Sequence, residues 1–506
     1  DEDSWASLQE LVDSGFVRCF TTEREAIAYL RGAKPVSSKL ALVKNEKDGV
    51  VKCRLILDCR VSGANDAAVK VERILLPKCW DVVRDIMALK KSSGDADSIV
   101  LFVLDFRDAF YMLPLMADEK QYFTAYQDGR WYVWDRVAQG SLNGPNAFGR
   151  LSALTGRITQ GFLSQSAARV QIYTDDPCTV MKGSMEEIKH TICCMVMLWL
   201  ALGWGLSFHK GQWGSQVDWI GYHIATSNEG VTVSIKEGFM KYVCTEVKQL
   251  LRERRIFVND LQSFAGRTNH IACLLYAWRP FIAELWGAIY DRKRIGPRIW
   301  VKQILHTRLW LEVFLDGHRG KLTRTWTWSS WLNPQTSLMM VLDASPYGLG
   351  GVLIACDKII AYFACPLTTD DEHIHGHLIG ADTGQQVWEA LCILVAMRTW
   401  SSYWLGCQCS LTIKSDNISA LIMASKLKIT SSELIARELA LLLSEASYMP
   451  RHVVHVPGVM NAWADALSRL SEPGGKYNIP AALRDCPRSS PIRRTPDFYS
   501  TLAQRS

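Results

Sequence analysis

Apolar and polar positions in the first half of the chain switch irregularly between two spacings. From about residue 41 to residue 235, runs with strand-like alternation are interleaved with segments in which apolar residues recur every three or four positions. From about 236 to 325 only the helical spacing remains, as in Leu250 and Leu261. The pattern predicts an α+β region that follows a helical lead-in over residues 1–40 and precedes a helical segment.

The last third has a different pattern. Two short apolar runs, Val341–Ser345 and Gly348–Leu353, surround a tight glycine turn, and a helical pattern runs from Val387 to Trp400. These features predict a second α/β domain over residues 339–470.

Two segments are predicted to lie outside these domains. Residues 326–338 are predicted to be a linker, in which Trp326, Trp328 and Trp331 either stack on bases or pack between domains. After Arg469 the composition turns to Pro, Gly, Ser and Arg, which predicts a disordered tail or spacer over 471–506.

Composition agrees with more than one folded domain. A chain of 506 residues exceeds the roughly 250–300 at which one hydrophobic core stops growing. Its net charge of +6 is too small to indicate nucleic-acid binding by itself. Two basic clusters either follow a phosphate backbone or form solvated helix faces. They are Arg252, Arg254 and Arg255, and Arg292, Lys293, Arg294 and Arg298.

Cysteine use and hydropathy bear on location. The 15 cysteines show no metal-binding spacing, which indicates reduced thiols and an intracellular protein of the cytoplasm or nucleus. The longest apolar run, Ile192–Leu202, is too short to cross a bilayer and predicts a buried helix that Gly203 ends. Because the chain begins at Asp1 without Met, we expect it to be part of a longer polyprotein.

Three acidic residues lie at strand-like runs in the first half. Asp175 and Asp176 follow Tyr173-Thr174, and Asp105 follows Val103-Leu104. Carboxylates presented together can hold two Mg²⁺ ions, with Mn²⁺ as an alternative. Such a pair of ions stabilises the attacking and leaving oxygens of a phosphoryl transfer.

A second acidic set lies in the last third. Asp343, Glu389, Asp416 and Asp465 occupy predicted strand ends and helix starts. These four carboxylates can also surround two Mg²⁺ ions, which here would activate a water. We expect the four to converge, with Asp343 bridging both ions.

The first-half motifs together resemble a reverse transcriptase. Tyr173-Thr174-Asp175-Asp176 matches the Y-x-D-D signature of that family, and Leu104–Phe110 matches its first carboxylate motif. Further segments match the family in chain order. They are Leu42–Lys44 with Lys47–Gly49 and Arg54–Arg60, Gln139–Phe148, Leu202–Lys210 and Trp219–Tyr222. The resemblance implies an α+β right-hand polymerase with fingers and palm over 41–235 and a helical thumb or connection over 236–325.

The resemblance also implies roles for individual residues. Asp105 and Asp175 would bridge the metals, and Asp176 would be a weaker third ligand. The implied contacts to the incoming deoxynucleoside triphosphate are Arg54 with either Lys44 or Lys47, Phe110 under the sugar, Gln139, and Lys210 as a proton donor to pyrophosphate. Trp219, Ile220, Gly221 and Tyr222 would form the primer grip. The implied partners are an RNA template and a DNA primer.

The last third resembles a retroelement ribonuclease H with an α/β mixed sheet, which implies an RNA–DNA hybrid as substrate. It departs from the retroviral pattern because no His follows Val456-Pro457. The long interval between Asp343 and Glu389 contains His373, His375 and His377, read as a solvent-exposed insertion rather than a weak Zn or Ni site. Three short segments resemble DIRS-type retrotransposons more than retroviruses, and Gypsy-type elements share part of this resemblance. They are Leu261–Arg267, Trp278–Phe281 and His455–Gly458.

The sequence leaves three functional readings. The first is an active polymerase with linked ribonuclease H, favoured by the intact carboxylates. The second is a hybrid-specific nuclease whose polymerase half only binds nucleic acid. The third is a domesticated, inactive binding protein. Oligomeric state is not readable from these residues.

Overall fold

The chain folds into two compact units, Asp1–Ile220 and Gly221–Ser506, in a computed structural model. The structure describes residues 2–47, 50–69, 72–91, 98–292, 294, 296–317, 321–329, 336–405, 409–427, 432–445 and 452–501. Within these ranges, no helix combines the length and apolar character needed to span a membrane.

The first unit contains helices and two main sheets. Its helices are α1 Glu2–Asp13, α2 Glu23–Tyr29, α3 Ala64–Ala67, α4 Cys79–Lys91, α5 Gly144–Phe162 and α6 Met185–Ala201. Its strands are β1 Val17–Phe20, β2 Ser37–Lys47, β3 Val50–Asp58, β4 Ser98–Val103, β5 Phe106–Arg107, β6 Thr124–Gln127, β7 Arg130–Trp134, β8 Ala168–Tyr173, β9 Asp176–Gly183, β10 Gly205–Leu206, β11 Gln212–Gly214 and β12 Gln216–Trp219. One sheet has the order β1-β7-β6-β2-β3 and the other β11-β4-β9-β8.

The second of these sheets is supported by aromatic packing. Phe106 stacks on Trp204 at 4.3 Å between ring centroids and meets the edge of Trp199. The indole N–H groups of Trp199 and Trp204 donate to Thr159 and Thr155 of α5 at 2.9 and 3.2 Å. This core fixes the strands from which the first acidic residues project.

Helix α6 confirms the predicted helix but only in part the predicted burial. Ser184 and Glu187 form a capping box at its start, and Gly203 follows its end with φ +84°. Met195 and Trp199 are buried, whereas Met197 is 65% exposed. The expectation of a fully buried helix was wrong because one face packs on the sheet and the other meets solvent.

The second unit begins with short strands and helices and continues into a larger sheet. Its strands are β13 Tyr222–Thr226, β14 Gly230–Ile235, β15 Arg255–Phe257, β16 Arg298–Trp300, β17 Thr323–Thr327, β18 Thr336–Ala344, β19 Gly348–Ala355, β20 Lys358–Pro366, β21 Cys409–Ser415 and β22 His452–His455. Its helices are α7 Glu237–Arg252, α8 Val258–Leu274, α9 Arg279–Ile289, α10 Leu305–Leu315, α11 Thr369–His375, α12 Gln385–Thr399, α13 Ser401–Trp404, α14 Ile418–Lys426, α15 Glu433–Glu445 and α16 Ala462–Ser468.

The larger sheet is mixed and has the order β20-β19-β18-β21-β22. Strands β18, β19 and β20 are antiparallel, whereas β18, β21 and β22 run parallel. The apolar helix α12 is buried along most of its length, in one core with β18 and β21. The centre of the sheet is therefore covered, and the ends of β18 and β21 are brought side by side.

Two expectations about the second unit need correction. The segment 236–325 is not purely helical, since β15, β16 and β17 lie within it. Trp326 is not in a linker: it is buried in β17, opposite Val231 of β14. The Trp328 indole N–H donates to the Ser227 carbonyl at 2.8 Å, and residues 336–338 belong to β18. Residues 330–335 of the predicted linker, including Trp331, lie outside the described residues. The domain boundaries proposed from sequence otherwise stay predictions.

The predicted disorder of the C-terminal tail is wrong for residues 471–501. Arg494 is buried and donates to both carboxylate oxygens of Asp371 at 2.8 and 2.7 Å. Tyr499 is fully buried, and Thr501 donates to Glu438. A few buried polar and aromatic contacts hold the tail in place although its composition is typical of a spacer.

Candidate functional site

The Tyr173–Asp176 segment forms the tight turn between β8 and β9. Tyr173 and Asp176 are the last paired residues of these strands, and Thr174 has φ +53°. The Ser152 hydroxyl donates to the Thr174 carbonyl at 2.7 Å, and the Thr174 hydroxyl donates to Asp175 Oδ1 at 2.8 Å. The turn therefore presents two consecutive carboxylates from a fixed backbone.

Asp105 lies beside this turn, at the end of β4. The amide of Phe106 donates to the Asp175 carbonyl at 2.9 Å, so the two backbone segments are adjacent. Lys210 Nζ donates to Asp105 Oδ2 at 2.6 Å. We call Asp105, Asp175 and Asp176 the first acidic cluster.

The electrostatics of the first acidic cluster reflect crowding of like charges. The pKa of Asp176 is raised to about 7, mainly by burial and then by the charges of Asp175 and Asp105, against the opposing effect of Lys210. The Trp219 indole donates to the Asp176 carbonyl at 2.9 Å. Such mutually repelling carboxylates are a donor set that a divalent cation would stabilise.

Phe110 and Gln139, the predicted contacts to the nucleotide sugar, are each held by packing or hydrogen bonding within the first unit. Phe110 is half-buried, and its ring is 5.4 Å from that of Phe148. The carbonyl of Gln139 accepts from the Leu57 amide at 2.8 Å. Gly140 follows with φ +114°, and a Cβ there would meet the Leu57 carbonyl oxygen at 2.1 Å. Only glycine fits this close approach.

Of the two lysines predicted to join Arg54 at the triphosphate, Lys44 is not brought to the same side as Arg54. Strands β2 and β3 form a long hairpin in which Val43 faces Arg54 and Lys44 faces Cys53. Side chains alternate between faces, so Lys44 and Arg54 project from opposite sides. Lys44 is ion-paired with Asp3. The side chain of Lys47 lies outside the part of the chain that the structure describes.

The predicted primer-grip residues form a turn. Trp219 is buried at the end of β12, and Ile220 and Gly221 have φ values of +41° and +85°. Tyr222 begins β13, and its hydroxyl donates to the His270 carbonyl at 2.9 Å. The boundary between the two units falls within this segment, after Ile220.

A second set of carboxylates meets at the centre of the mixed sheet. Asp343, Glu389 and Asp416 each place one carboxylate oxygen within 4.8 Å of the others. They come from β18, from α12 and from the residue after β21. We call them the second acidic cluster. Among the described residues, no other set of three His, Cys, Asp or Glu side chains brings its ligand atoms within 4.8 Å of one another. The first acidic cluster is therefore more widely spaced than the second.

Several polar side chains hold the second acidic cluster. Ser468 Oγ donates to Asp343 Oδ2 at 2.7 Å, and Asn461 Nδ2 donates to Asp343 Oδ1 at 3.3 Å. Gln385 Nε2 donates to Glu389 Oε1 at 3.2 Å, and the Ser415 hydroxyl donates to Glu389 Oε2 at 3.4 Å.

Burial dominates the protonation of the second acidic cluster. The pKa of Asp343 is raised to about 7, mainly by burial, with the hydrogen bond from Ser468 opposing the rise and the charges of Asp416 and Asp465 contributing to it. Burial also raises the pKa of Glu389 well above its usual range, followed by the charges of Asp343 and Asp416. Three carboxylates converging in a buried site fit a divalent cation, which prefers oxygen ligands.

Asp465 lies outside this three-carboxylate group. It is on α16, where its Oδ1 accepts from Arg469 Nε at 2.6 Å. Helix α16 packs closely on β19, since a Cβ at Gly350 would meet the Ala464 carbonyl oxygen at 2.4 Å. The structure therefore places Asp465 beside the cluster and pairs it with an arginine.

The sequence did not single out the supporting residues. Asn461 and Ser468 lie on either side of Asp465 in the sequence, and their spacing of seven puts both on one helical face. Gln385 precedes Glu389 by one turn and shares its face. Those spacings were the available signal, whereas the approach of Ser415 depends on the tertiary fold.

The reading of His373, His375 and His377 as a solvent-exposed insertion was wrong for His375. His375 Nε2 lies 2.9 Å from the Tyr499 hydroxyl, and burial lowers the pKa of His375 to about 4. His373 is exposed. Within the described ranges these histidines form no metal-ligand group.

Comparisons with known proteins give distant relatives. No protein-family model matches the chain. It is 25% identical over 295 residues to the Gag-Pol polyprotein of avian reticuloendotheliosis virus, a match covering 55% of this chain and 23% of that polyprotein. It is 24% identical over 243 residues to the Pro-Pol polyprotein of feline foamy virus, covering 44% of this chain and 20% of that one. The matches thus span less than a quarter of these relatives' length.

Solved structures with some likeness are foamy viral protease-reverse transcriptases. One in complex with double-stranded DNA has a TM-score of 0.47 and 16% identity, covering 90% of this chain and 83% of that chain. One in complex with an RNA/DNA hybrid has a TM-score of 0.45 and 14% identity, covering 89% and 52%.

The assignment to DIRS-type or Gypsy-type elements is untested by these matches and stays a prediction. The sequence relatives are polyproteins of retroviruses and foamy viruses. The chain is therefore related to retroelement polyproteins, as its motifs predicted.

Proposed function

We propose that the chain is an RNA-directed DNA polymerase with a linked ribonuclease H activity on RNA–DNA hybrids. The observation that carries the proposal is the placement of Asp105 against the Asp175–Asp176 turn, through the 2.9 Å bond from the Phe106 amide to the Asp175 carbonyl. The proposed substrates are deoxynucleoside triphosphates, an RNA template and a DNA primer.

In the polymerase half, the chain's own residues would hold and select the nucleotide. Asp105, Asp175 and Asp176 would be the metal ligands. Lys210, which contacts Asp105, would also approach the phosphates. The ring of Phe110 would exclude a ribose 2′-hydroxyl by steric conflict.

In the nuclease half, Asp343, Glu389 and Asp416 would be the metal ligands, with Asp465 as a fourth. A bound Mg²⁺ in either half would make the attacking oxygen more acidic and neutralise charge that develops on the phosphate. Ser468 and Asn461 would hold Asp343 in position, and Gln385 would hold Glu389.

A second candidate is a hybrid-specific ribonuclease whose first unit only binds nucleic acid. One observation favours it: in the described parts of the chain, only the second acidic cluster brings three carboxylates within 4.8 Å. An inactive, domesticated binding protein is the third reading and predicts neither activity.

Separation-of-function variants test the proposal. Because the two clusters belong to different units, Asp175→Asn should abolish primer extension on a homopolymeric RNA template and leave hybrid cleavage within about twofold of wild type. Asp343→Asn should do the reverse, and an all-DNA duplex should stay uncut because it lacks the 2′-hydroxyl. Wild-type cleavage without extension would establish the ribonuclease alone, and absence of both activities would establish the inactive reading.

A further inference from the structure

The two-stranded ribbon β15–β16 in the second unit has two unlike faces. Arg255 pairs with Trp300, Ile256 with Ile299, and Phe257 with Arg298. Ile256 and Ile299 are each 1% exposed and anchor the inner face. Because side chains alternate along strands, the other four project from the outer face. We call Arg255, Phe257, Arg298 and Trp300 the ribbon face.

The ribbon face consists of arginine–aromatic pairs. The guanidinium of Arg255 lies 4.0 Å from the Trp300 ring centroid, and that of Arg298 lies 4.3 Å from the Phe257 centroid. Trp300 is nevertheless 54% exposed and Phe257 45% exposed. Each ring therefore keeps surface available to a planar ligand.

The positive charge of the ribbon face is not neutralised within the protein. In the described part of the chain, neither Arg255 nor Arg298 has a carboxylate within 4.0 Å, and the same holds for the adjoining Arg254 and Lys302. The neighbouring Glu253 interacts electrostatically with Arg308 instead. A shallow depression of about 330 Å³ beside Trp300 is lined by Lys302 and Gln303.

We propose that the ribbon face is a binding site for single-stranded nucleic acid, separate from both acidic clusters. Unneutralised arginines complement a phosphate backbone, and exposed rings offer stacking surfaces that suit unpaired bases of any sequence. The bases of a duplex are already stacked on one another, so they cannot stack on the rings of Phe257 and Trp300. The inference rests on the proposed function only in taking nucleic acid as the class of partner.

Fluorescence anisotropy of the full chain with a labelled 30-nucleotide oligo(dT), measured in EDTA, tests the site without catalysis. Trp300→Ala should weaken binding roughly tenfold, the loss expected for one base stack, whereas Trp300→Phe should stay within about threefold. Arg255→Gln with Arg298→Gln should lower the slope of log affinity against log salt by about 1.4, since each single-strand phosphate contact contributes about 0.7.

The matched control is Arg484→Gln with Arg493→Gln, which removes the same charge from exposed positions elsewhere in the second unit. The inference is wrong if the ribbon and control variants have equal affinity and salt slope. It is also wrong if the ribbon variants weaken a blunt duplex as much as the single strand. If Trp300→Ala fails to fold, the double variant Arg255→Gln with Arg298→Gln still tests the inference. The catalytic variants Asp175→Asn and Asp343→Asn should bind like wild type, so failure of the proposed function would not mimic failure here.

Discussion

Discrimination between deoxyribonucleotides and ribonucleotides would depend on the ring of Phe110. Its ring centroid lies 5.4 Å from that of Phe148, and its side chain packs against the core of the first unit. We expect Phe110→Val to raise ribonucleotide incorporation roughly tenfold to a hundredfold relative to deoxynucleotides, because the ring's volume is removed without altering a carboxylate. Primer extension with each nucleotide type measures the ratio. An unchanged ratio would return Phe110 to an ordinary core role.

Gly140 offers a sharper structural test beside Gln139. A methyl group at Gly140 would lie 2.1 Å from the Leu57 carbonyl oxygen in a backbone with φ +114°. We expect Gly140→Ala to lower the free energy of unfolding of the first unit by roughly 2–4 kcal/mol. Gly161→Ala in α5 is the control, since nothing lies within 4 Å of its added Cβ, and it should be neutral or stabilising. Equal effects in urea unfolding would show that the contact relaxes freely.

At the residue scale, sequence reasoning found acidic residues better than their partners. Asp343, Glu389 and Asp416 were recognisable from the short motifs around them, and the structure brings these three together. The bond from Lys44 to Asp3 was not predictable, because the partner lies about forty positions away in another element. A short sequence motif identifies a charged side chain, whereas a long-range contact decides whether that side chain is available to bind a ligand.

At the element scale, helix α11 and the C-terminal segment stabilise one another. Thr368 and Asp371 form a capping box at the start of α11, and the same Asp371 accepts from Arg494. His375 at its end meets the Tyr499 hydroxyl. The insertion and the tail, which the sequence assigned to solvent, thus form one packed feature.

This feature predicts a pH dependence of stability. The folded-state pKa of His375 is lowered to about 4 by burial, opposed by Asp371 and reinforced by His377 and Arg494. Below pH 6.5 the unfolded chain binds a proton that the folded chain excludes, so the free energy of unfolding should fall as pH drops toward 4. The total loss is about 3 kcal/mol at most.

Urea unfolding at pH 7 and pH 5 measures this effect. Wild type should lose more stability between these pH values than His375→Gln, by about 1–2 kcal/mol. His373→Gln, at an exposed position on the same helix, should behave like wild type. A His375→Gln protein with the wild-type pH dependence would contradict the assignment.

The sequence predicted elements where the pattern was long and failed where a few contacts override composition. Helix α12 and the strands β18 and β19 follow their apolar pattern closely. The short ribbon β15–β16 was missed, because three-residue strands carry almost no periodicity. The tail was misread because disorder was inferred from composition, and composition does not reveal Arg494 facing Asp371.

At the scale of the second unit, a buried ion pair joins helices far apart in sequence. Arg437 of α15 donates to Glu284 of α9 at 3.0 Å and to Glu433 at 3.1 Å. Burial raises the pKa of Glu284, so its charge depends on this partner. The helical segment and the mixed sheet therefore share one interior.

Removing one partner of the buried Arg437–Glu284 ion pair should destabilise the second unit. We expect Arg437→Met to lower the free energy of unfolding by about 3 kcal/mol, because Glu284 is left buried without its cation. The double variant Arg437→Met with Glu284→Gln should recover part of the loss. Thermal unfolding followed by circular dichroism measures both. If the single variant unfolds like wild type, the pair contributes nothing to the stability of the unit.

Strand β20 is the edge of the mixed sheet, and the tail lies along it. The Tyr362 amide donates to the Pro487 carbonyl at 3.1 Å, the Ser489 amide donates to the Tyr362 carbonyl at 2.7 Å, and Arg488 donates to the Ala364 carbonyl. An uncovered strand edge is a template on which another chain can pair. A protein cut after residue 470 would keep the carboxylates of both acidic clusters and lose this cover. Its solubility, more than its chemistry, would then limit how it could be handled.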